Sequence, residues 1–442
     1  MSAFHPKIVV GPPGPKARKV IGKDRKFISP SYTRAYPLVI ERGEGMFVED
    51  IDGNRFLDFT GGVAVNTTGH AHPEIVRTIA EQSSKFIHMA GTDFYYRLQS
   101  DLAEKLSEIT PGKFPKMSFL VNSGTEAVEA ALKLARYVTG RPRFLAFLGG
   151  FHGRTMGALG LTASKAIQRR GFSPLLSEVT HIPYPYCYRC PFNMKPETCK
   201  IDCLRYAEEW IFAKVAPPED IAAIIVEPIQ GEGGYVVPPK SYFRTLRALC
   251  DRYGILMIDD EVQAGLGRTG KMFAIEHWGI TPDIMCIAKG IASGLPLGAM
   301  VGRADLFTWP SGAHANTFGG NPVACAAALK TIEMIQGGLM KNAVDTGRYL
   351  HHKLDNLARR SPAIGDHRGI GLMQGIEIVA DRKTKKKAPA LRGKIVQDCF
   401  SHGLLLLGCG ESSIRFSPSL IVGKGHVDAA VAILGGAIRR CS

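Results

Sequence analysis

Residues 255–298 read ILMIDDEVQAGLGRTGKMFAIEHWGITPDIMCIAKGIASGLPLG and contain two short apolar runs, each followed by charged side chains. Ile255–Ile258 is followed by the acidic triplet at 259–261, and Met285–Ala288 is followed by Lys289. Short apolar runs of this kind are typical of strands buried in a parallel sheet. Ligands of open α/β sheets bind beyond the carboxyl ends of the strands. We therefore expect the acids and the lysine to converge on one pocket.

Each of these charged groups needs a partner there, because burying an unpaired charge costs free energy. A cofactor that offers a ring nitrogen to an acid and an aldehyde to an amine supplies both partners. The run DDEVQAGLGRTG at 259–270, with Lys289 in the sequence IAKG 29 residues after Asp260, resembles the cofactor signature of class III pyridoxal-phosphate aminotransferases. This family includes the 4-aminobutyrate, ornithine and acetylornithine aminotransferases. The resemblance covers nearly the whole chain from about residue 30, with the motifs in family order.

The resemblance implies an α/β protein of the pyridoxal-phosphate-dependent transferase fold type I. We expect a large domain, in which helices cover a mostly parallel sheet, and a smaller α+β domain. The expected segments are a loosely held basic N-terminal arm (1–30), the N-terminal part of the small domain (31–65), the large cofactor-binding domain (66–324) and the C-terminal part of the small domain (325–442).

The resemblance also implies roles for the central stretch. Lys289 would be the Schiff-base lysine and Asp260 the partner of the pyridinium nitrogen, which makes these two the candidate catalytic residues. A lysine whose pKa is lowered by burial and by the cofactor can move a proton once it is free. Asp260 would keep the ring nitrogen protonated, so that the ring can accept electrons. Val262 would pack on the ring face, and Gln263 would hydrogen-bond the 3-oxygen of the ring.

A predicted helix start supplies a candidate phosphate site. Apolar residues of the segment AVEAALKLARYVTG (127–140) fall on one helical face, and Gly140 is a suitable stop. The free N–H groups and the dipole of a helix start attract anions, although most helix caps bind only their own backbone. The preceding loop matches the family's phosphate-binding segment, which makes Ser123, Gly124 and Thr125 cofactor-binding candidates.

The segment LAFLGGFHGRT (145–155) is predicted to be a strand that runs into a loop. By resemblance, Phe151 would pack on the ring face opposite the valine, with His152 beside the cofactor. The alternative for Phe151 is an ordinary core aromatic. Arg154 is at the position that binds the substrate carboxylate remote from the reacting amine.

Two glutamates follow the predicted buried strand AAIIVEP at 222–228. Glu227 and Glu232 match a pair of family glutamates, the first in the cofactor site and the second able to neutralise the arginine that binds the α-carboxylate. That arginine would be Arg415, in the sequence SSIRFSPSL. A surface arginine is the alternative, but the apolar neighbours indicate partial burial, where an arginine needs an anion.

The segment AHANTFGGNPVACAA (313–327) resembles the family segment that reaches the phosphate of the neighbouring subunit through a threonine, here Thr317. The resemblance therefore implies a homodimer or a higher homo-oligomer with shared sites.

The net charge of +15 calls for a test of nucleic-acid binding. Residues 1–27 and residues 381–394 each carry seven Lys or Arg against one Asp, which leaves the other 401 residues with only +3. Basic runs of this kind are usually solvated, and no stacking aromatics interleave with them.

No apolar run approaches the ~18 residues of a membrane span, and the N-terminal residues lack the apolar core of a signal peptide. We expect a cytoplasmic protein without nucleic-acid or membrane partners.

Four of the ten cysteines lie within 17 residues. The spacing Cys187-x2-Cys190-x8-Cys199-x3-Cys203 suits zinc or an iron–sulfur cluster. The expected chemistry needs no such metal, and unligated or disulfide-bonded thiols are the alternative. We expect no bound metal here.

We predict an aminotransferase that moves an amino group from an ω-amino acid, such as 4-aminobutyrate or ornithine, or from a similar amine, to a 2-oxo acid, with 2-oxoglutarate as the expected acceptor. A pyridoxal-phosphate-dependent amino-acid racemase on the same scaffold is the alternative, and it would use the same site residues. A nucleotide-binding loop at 265–271 is disfavoured, because Met272 stands where that motif needs Ser or Thr.

Overall fold

The structure is a computed structural model that describes residues 4–176 and 178–442. The strands are β1 (Ile40–Glu44), β2 (Phe47–Asp50), β3 (Arg55–Asp58), β4 (Lys116–Val121), β5 (Arg143–Phe147), β6 (Val179–Ile182), β7 (Ile221–Val226), β8 (Leu256–Asp260), β9 (Ile284–Ile287), β10 (Gly298–Arg303), β11 (Ile364–Ile370), β12 (Met373–Asp381), β13 (Lys386–Lys387), β14 (Leu404–Leu405), β15 (Leu407–Cys409) and β16 (Ser413–Phe416). The α-helices are α1 (Pro15–Phe27), α2 (Gly61–Ala64), α3 (Pro73–Ser83), α4 (Arg97–Ile109), α5 (Gly124–Thr139), α6 (Met156–Leu161), α7 (Asp202–Tyr206), α8 (Tyr242–Tyr253), α9 (Pro322–Met334), α10 (Met340–Arg360), α11 (Pro389–Ser401) and α12 (Lys424–Cys441).

A seven-stranded sheet with the order β4-β10-β9-β8-β7-β5-β6 forms the centre of the protein. The pairs from β6 to β9 are parallel, and β10 runs antiparallel to both of its neighbours. All residues of β7 and β9 are buried, which explains why these strands are almost entirely apolar. The prediction of two adjacent buried parallel strands in the central stretch is confirmed, since β8 and β9 pair in that way.

Helix α5 is defined by its two ends and by one buried face. Ser123 has an extended backbone at the N-cap, and its Oγ accepts a hydrogen bond from the N–H of Glu126. At the other end Gly140 adopts a left-handed conformation, φ +67°, which glycine allows at low cost. The apolar face of the helix packs on the sheet. The helix and its stop at Gly140 were both predicted from the sequence.

Two antiparallel-rich sheets lie outside the central one, with the orders β1-β2-β3-β14 and β11-β12-β16-β15. Strands β2 and β3 form an antiparallel pair. Strand β3 also pairs in parallel with β14, where Leu57 lies opposite Leu404. The N-terminal and C-terminal parts of the chain therefore share one sheet. The domain boundaries given above stay a prediction.

The N-terminal arm is more ordered than we expected from its composition. Residues 15–27 form α1, which begins with Pro15 in the first turn, where a missing N–H is tolerated. The carboxylate of Asp52 accepts hydrogen bonds from the N–H groups of Lys16 and Ala17, both at 2.9 Å. This helix was not predicted, because the carboxylate that caps it comes from a distant loop.

In the described part of the chain, one helical run is long and apolar enough to cross a membrane by length and composition alone, at Pro322–Arg360. The run is interrupted at Gly338, whose backbone is not helical, and 44% of its apolar window is buried within the protein. Burial of this kind is found in core helices as well.

Candidate active site

Three strand ends bring charged groups together. Asp260 is the last residue of β8, Glu227 follows β7, and Lys289 follows β9 after Ala288. Burial lowers the pKa of the Lys289 amine, although the charges of Asp260 and Glu227 act in the opposite direction. The lysine and the acids therefore lie within electrostatic reach of one another, as the strand order predicts.

Asp260 is held from two sides. Its Oδ1 accepts a hydrogen bond from the N–H of Val262 at 3.1 Å, and its Oδ2 lies 2.7 Å from Nδ1 of the buried His152. Burial alone would lower the pKa of His152, but the hydrogen bond and the charge of Asp260 outweigh it and raise that pKa. The pairing favours a cationic histidine. Among the described residues, Nε2 of His152 has no partner.

Glu227 accepts hydrogen bonds from two loops at the end of β7. Its Oε1 accepts a hydrogen bond from the N–H of Phe151 at 2.9 Å, and its Oε2 accepts one from the N–H of Gly231 at 2.8 Å. Burial raises the pKa of Glu227 to about 7, despite the opposing charge of His152. Glu227 thus supports the backbone around the site. Its place among the cofactor-binding residues stays a prediction.

Gln263 and Val262 lie just beyond Asp260. The hydroxyl of Tyr235 donates to Oε1 of Gln263 at 3.0 Å, which leaves the amide nitrogen of Gln263 able to donate elsewhere. Val262 faces the start of α5, since a Cβ on Gly124 would lie only 2.7 Å from its Cγ1. A side chain at Gly124 would therefore push the helix start away from Val262.

The start of α5 is packed by the loop that follows Phe151. The hydroxyl oxygens of Thr125 and Thr155 are 2.8 Å apart. A Cβ on Gly153 would lie 2.1 Å from Oγ1 of Thr125, so this position requires glycine. The first N–H groups of a helix have no intrahelical acceptor. This end of α5 can therefore bind an anion.

The second group of charges joins the central sheet to β16. Nη1 of Arg415 donates to Oε2 of Glu232 at 3.1 Å, and Arg415 is buried as its apolar neighbours predicted. Nε of Arg415 has no partner among the described residues. The other oxygen of Glu232, Oε1, accepts from Nζ of Lys165 at 2.5 Å.

Two candidates lie nearer the surface. Arg154 is exposed, with its guanidinium carbon 5.7 Å from the ring centre of the partly buried Phe151. Thr317 is exposed in the loop between β10 and α9. Arg154 and Thr317 therefore lie at the protein surface, whereas the charged candidates Asp260, Glu227 and Lys289 lie at the buried strand ends.

The four clustered cysteines are free thiols that line one cavity of about 50 Å³. No group of three or more His, Cys, Asp or Glu side chains in the described ranges is arranged to hold a metal ion. The absence of metal stays a prediction, which elemental analysis can test.

Sequence reasoning missed Lys165 and Tyr235. Each donates a hydrogen bond to a predicted site residue that is distant in sequence: Lys165 to Glu232, and Tyr235 to Gln263. Their spacing carries no recognisable motif, although Tyr235 lies three residues from Glu232 in a glycine-rich loop.

The chain is similar in sequence to a known enzyme family and to several of its members. The family described as Aminotransferase class-III matches residues 28–438. An alanine/serine racemase of Pyrococcus horikoshii is 40% identical, over 98% of this chain and 93% of its own. A probable 4-aminobutyrate aminotransferase of Bacillus subtilis is 35% identical, over 94% of this chain and 96% of its own.

The fold is also that of a solved transaminase. An amine transaminase from an uncultivated Pseudomonas species, solved in its PLP-bound form, superposes with a TM-score of 0.87. It is 34% identical, and the match covers 94% of this chain and 99% of that one.

Proposed function

The chain belongs to the class III aminotransferase family, and on this premise we propose that it transfers the amino group of an ω-amino acid such as 4-aminobutyrate to a 2-oxo acid, with 2-oxoglutarate as the acceptor. The cofactor of the proposed reaction is pyridoxal phosphate. The observation that carries the substrate proposal is the ion pair between Glu232 and Arg415, at 3.1 Å.

The residues present fit this cofactor. The start of α5 suits the phosphate because its first N–H groups have no acceptor within the helix. Glycine at position 124 also lets Val262 pack close to this helix start, since a Cβ there would lie 2.7 Å from Cγ1 of Val262. Asp260 suits a protonated ring nitrogen, and the amide nitrogen of Gln263, whose oxygen accepts from Tyr235, suits the ring oxygen. When bound, pyridoxal phosphate supplies an electron sink for the carbanion that forms next to the substrate amine.

Lys289 is placed for proton transfer. Because burial lowers the pKa of its amine, a larger fraction of the amine is neutral near pH 7 than for an exposed lysine. A neutral amine can take a proton from the substrate carbon that bears the amino group, and in a transamination it would deliver that proton to C4′ of the cofactor. Asp260, fixed by His152 and by the N–H of Val262, would be the partner of the ring nitrogen.

The two arginines suit two kinds of substrate. Arg154 would hold a carboxylate several carbons from the reacting amine, which allows a γ- or δ-amine to reach the reacting centre. Such a substrate brings no carboxylate to Arg415, and Glu232 then neutralises the buried guanidinium. When 2-oxoglutarate binds, its α-carboxylate would replace Glu232 on Arg415, and its distal carboxylate would pair with Arg154.

An amino-acid racemase is the second candidate, and the racemase from Pyrococcus horikoshii is the observation that favours it. The lysine, the aspartate and both arginines would serve either reaction. A racemase, however, requires no exchange of carboxylates at Arg415, because its substrate and its product both carry an α-carboxylate.

A panel of substrates separates the two reactions. The holoenzyme would be given 4-aminobutyrate, ornithine and L- and D-amino acids, each with and without 2-oxoglutarate, and glutamate formation and optical rotation would be followed. We expect glutamate from 4-aminobutyrate or ornithine only when 2-oxoglutarate is present. Interconversion of L- and D-amino acids without any keto acid, together with no glutamate from the ω-amines, would establish the racemase instead.

A Glu232→Gln variant tests the carboxylate exchange. It leaves Arg415 without an anion while the ω-amino acid is bound, but not while 2-oxoglutarate supplies its α-carboxylate. We therefore expect the variant to slow the half-reaction with 4-aminobutyrate more than the half-reaction with 2-oxoglutarate. Equal effects on both half-reactions would contradict the proposed exchange.

A further inference from the structure

We propose that Lys165 determines specificity for α-carboxylates, because it holds Glu232 while the carboxylate of a 2-oxo acid or an α-amino acid occupies Arg415. The inference rests on the proposed function for the exchange of carboxylates at Arg415. Lys165 would take part in that exchange and would help one pocket accept both ω-amino acids and substrates with an α-carboxylate.

Glu232 lies between two cations that come from different parts of the fold. Lys165 follows α6 on the central-sheet side, and its Nζ is 2.5 Å from Oε1 of Glu232. Arg415 is on β16, and its Nη1 is 3.1 Å from Oε2. Each carboxylate oxygen thus has its own partner, so Glu232 can leave one cation and keep the other.

The exposure of the three side chains sets the cost of separating them. The side chains of Arg415, Glu232 and Lys165 are 8%, 17% and 37% exposed. Leaving Arg415 unpaired would be costly, because water reaches little of its side chain. Lys165 is partly solvated and can keep Glu232 near the rim of the pocket.

Lys165 changes the charge balance around Arg415 when an α-carboxylate binds. Without a substrate carboxylate the group holds two cations and one anion, and Nε of Arg415 is a buried donor without a partner in the described part of the chain. An incoming α-carboxylate turns the group into two neutral pairs, one on Arg415 and one between Lys165 and Glu232. Without Lys165, the displaced Glu232 would be an unpaired anion beside the incoming carboxylate, and the two would repel each other.

The half-reaction with an ω-amino acid does not require Lys165 to hold a displaced Glu232. Glu232 stays on Arg415 during that half-reaction, and this pair remains intact when the lysine is absent. Lys165 is therefore expected to affect the two half-reactions unequally.

The test uses Lys165→Met, which keeps an apolar stem but removes the charge, and Lys165→Arg, which keeps the charge. Lys353→Met is the matched control, because Lys353 is also 37% exposed and pairs with Asp428 at 2.6 Å on the outer helices α10 and α12. Binding of glutarate, a dicarboxylate that cannot react, is measured on each holoenzyme by calorimetry. The KM and kcat of both half-reactions are measured alongside.

In Lys165→Met we expect glutarate binding about tenfold weaker and the KM for 2-oxoglutarate raised to a similar extent, as for loss of a partly buried charge partner. The KM for 4-aminobutyrate should stay within about twofold. Lys165→Arg should restore glutarate binding, and Lys353→Met should match the wild type. Unchanged glutarate binding, or equal losses for both substrates, would overturn the inference.

Failure of the proposed function would look different. If 4-aminobutyrate is no substrate and α-amino acids are racemised, the proposed function fails, yet glutarate binding and the KM for the α-amino acid still report on Lys165. A tenfold loss of glutarate binding in Lys165→Met would then support the inference on its own, and wild-type binding would refute it.

Discussion

At the scale of single residues, the candidate catalytic lysine has an unusual backbone. Lys289 has a φ of +47°, in the left-handed region that non-glycine residues seldom adopt. Residues in such conformations cost free energy and are concentrated at functional sites. The conformation belongs to the short 3-10 turn Lys289–Ala292, which begins directly after β9. Its neighbour Gly290 accepts a hydrogen bond from the hydroxyl of Thr67 through its carbonyl, at 2.9 Å.

Replacing this lysine gives the first prediction. Wild-type protein should be yellow, and treatment with borohydride should fix the cofactor to a peptide that contains Lys289. Lys289→Ala should lose the covalent attachment and nearly all turnover, because the amine that carries the proton is missing. Peptide mass spectrometry after reduction checks the attachment, with Lys271→Ala, a change at an exposed lysine, as control. A Lys289→Ala protein with full turnover and no added amine would show that the lysine was wrongly assigned.

Two buried acids next to Asp260 give the second prediction. Burial raises the pKa of Glu261 from 4.5 to about 8, against the backbone N–H groups that face it, and burial raises the pKa of Asp259 as well. Between pH 4.5 and 8 the folded chain keeps a proton on Glu261 that the unfolded chain has lost. The free energy of unfolding therefore falls as the pH rises through this window.

Glu261→Gln should flatten this dependence, because the amide is neutral at every pH and its oxygen can still accept from the N–H of Ile275. The variant should be more stable than the wild type at pH 8, by on the order of 1–3 kcal/mol. Thermal midpoints at pH 5, 7 and 8.5 measure the effect, and Glu81→Gln, at an exposed glutamate, is the control. A wild-type midpoint that rises between pH 5 and 8, parallel to that of Glu261→Gln, would show that Glu261 is ionised throughout.

At the scale of elements, the start of α5 makes a prediction about the cofactor. Gly124→Ala places a Cβ 2.7 Å from Cγ1 of Val262, and either the helix start or the valine has to move. Since both lie in the proposed cofactor site, we expect the dissociation constant for pyridoxal phosphate to rise at least about tenfold, as for a displaced hydrogen-bonding group. Equilibrium dialysis of the apoenzyme measures it. Gly393→Ala, inside α11 with open space around it, should bind as the wild type does. Equal affinity of both variants would place the phosphate elsewhere.

The elements also show what the sequence can predict. Strands β7, β8 and β9 were predictable because each is a short apolar run that ends in a charged residue at the site. Strand β10 was not predicted, since its sequence GAMVGR contains two glycines and ends in an arginine. Helix α1 was not predicted because its cap is Asp52, a residue outside the segment. Lys165 was missed for the same reason, since its importance comes from a contact with Glu232, 67 positions away.

At the scale of the whole molecule, the chain carries exposed apolar side chains near a proposed cofactor contact. Ile87, Phe94, Tyr95 and Phe318 are all more than half exposed. The ring of Phe318 lies 5.0 Å from that of His88, which joins the two segments into one surface. Exposed apolar patches mark interfaces in many proteins, and Thr317 lies next to Phe318. This surface supports the prediction of a homodimer in which Thr317 of one subunit reaches the phosphate of the other.

Complementation between subunits tests that prediction. Light scattering should give at least twice the mass of the chain, and Thr317→Ala should bind pyridoxal phosphate more weakly. In a mixed dimer of Lys289→Ala and Thr317→Ala subunits, one site lacks both groups and the other has both, because each site takes its lysine from one chain and its threonine from the other. Random reassociation of equal amounts should therefore leave about a quarter of all sites intact. At a cofactor concentration that leaves each parent inactive, the mixture should recover about that fraction of wild-type activity. An active monomer, or a mixture no more active than the mean of its parents, would mean that each chain builds its site alone and that the apolar surface serves another purpose.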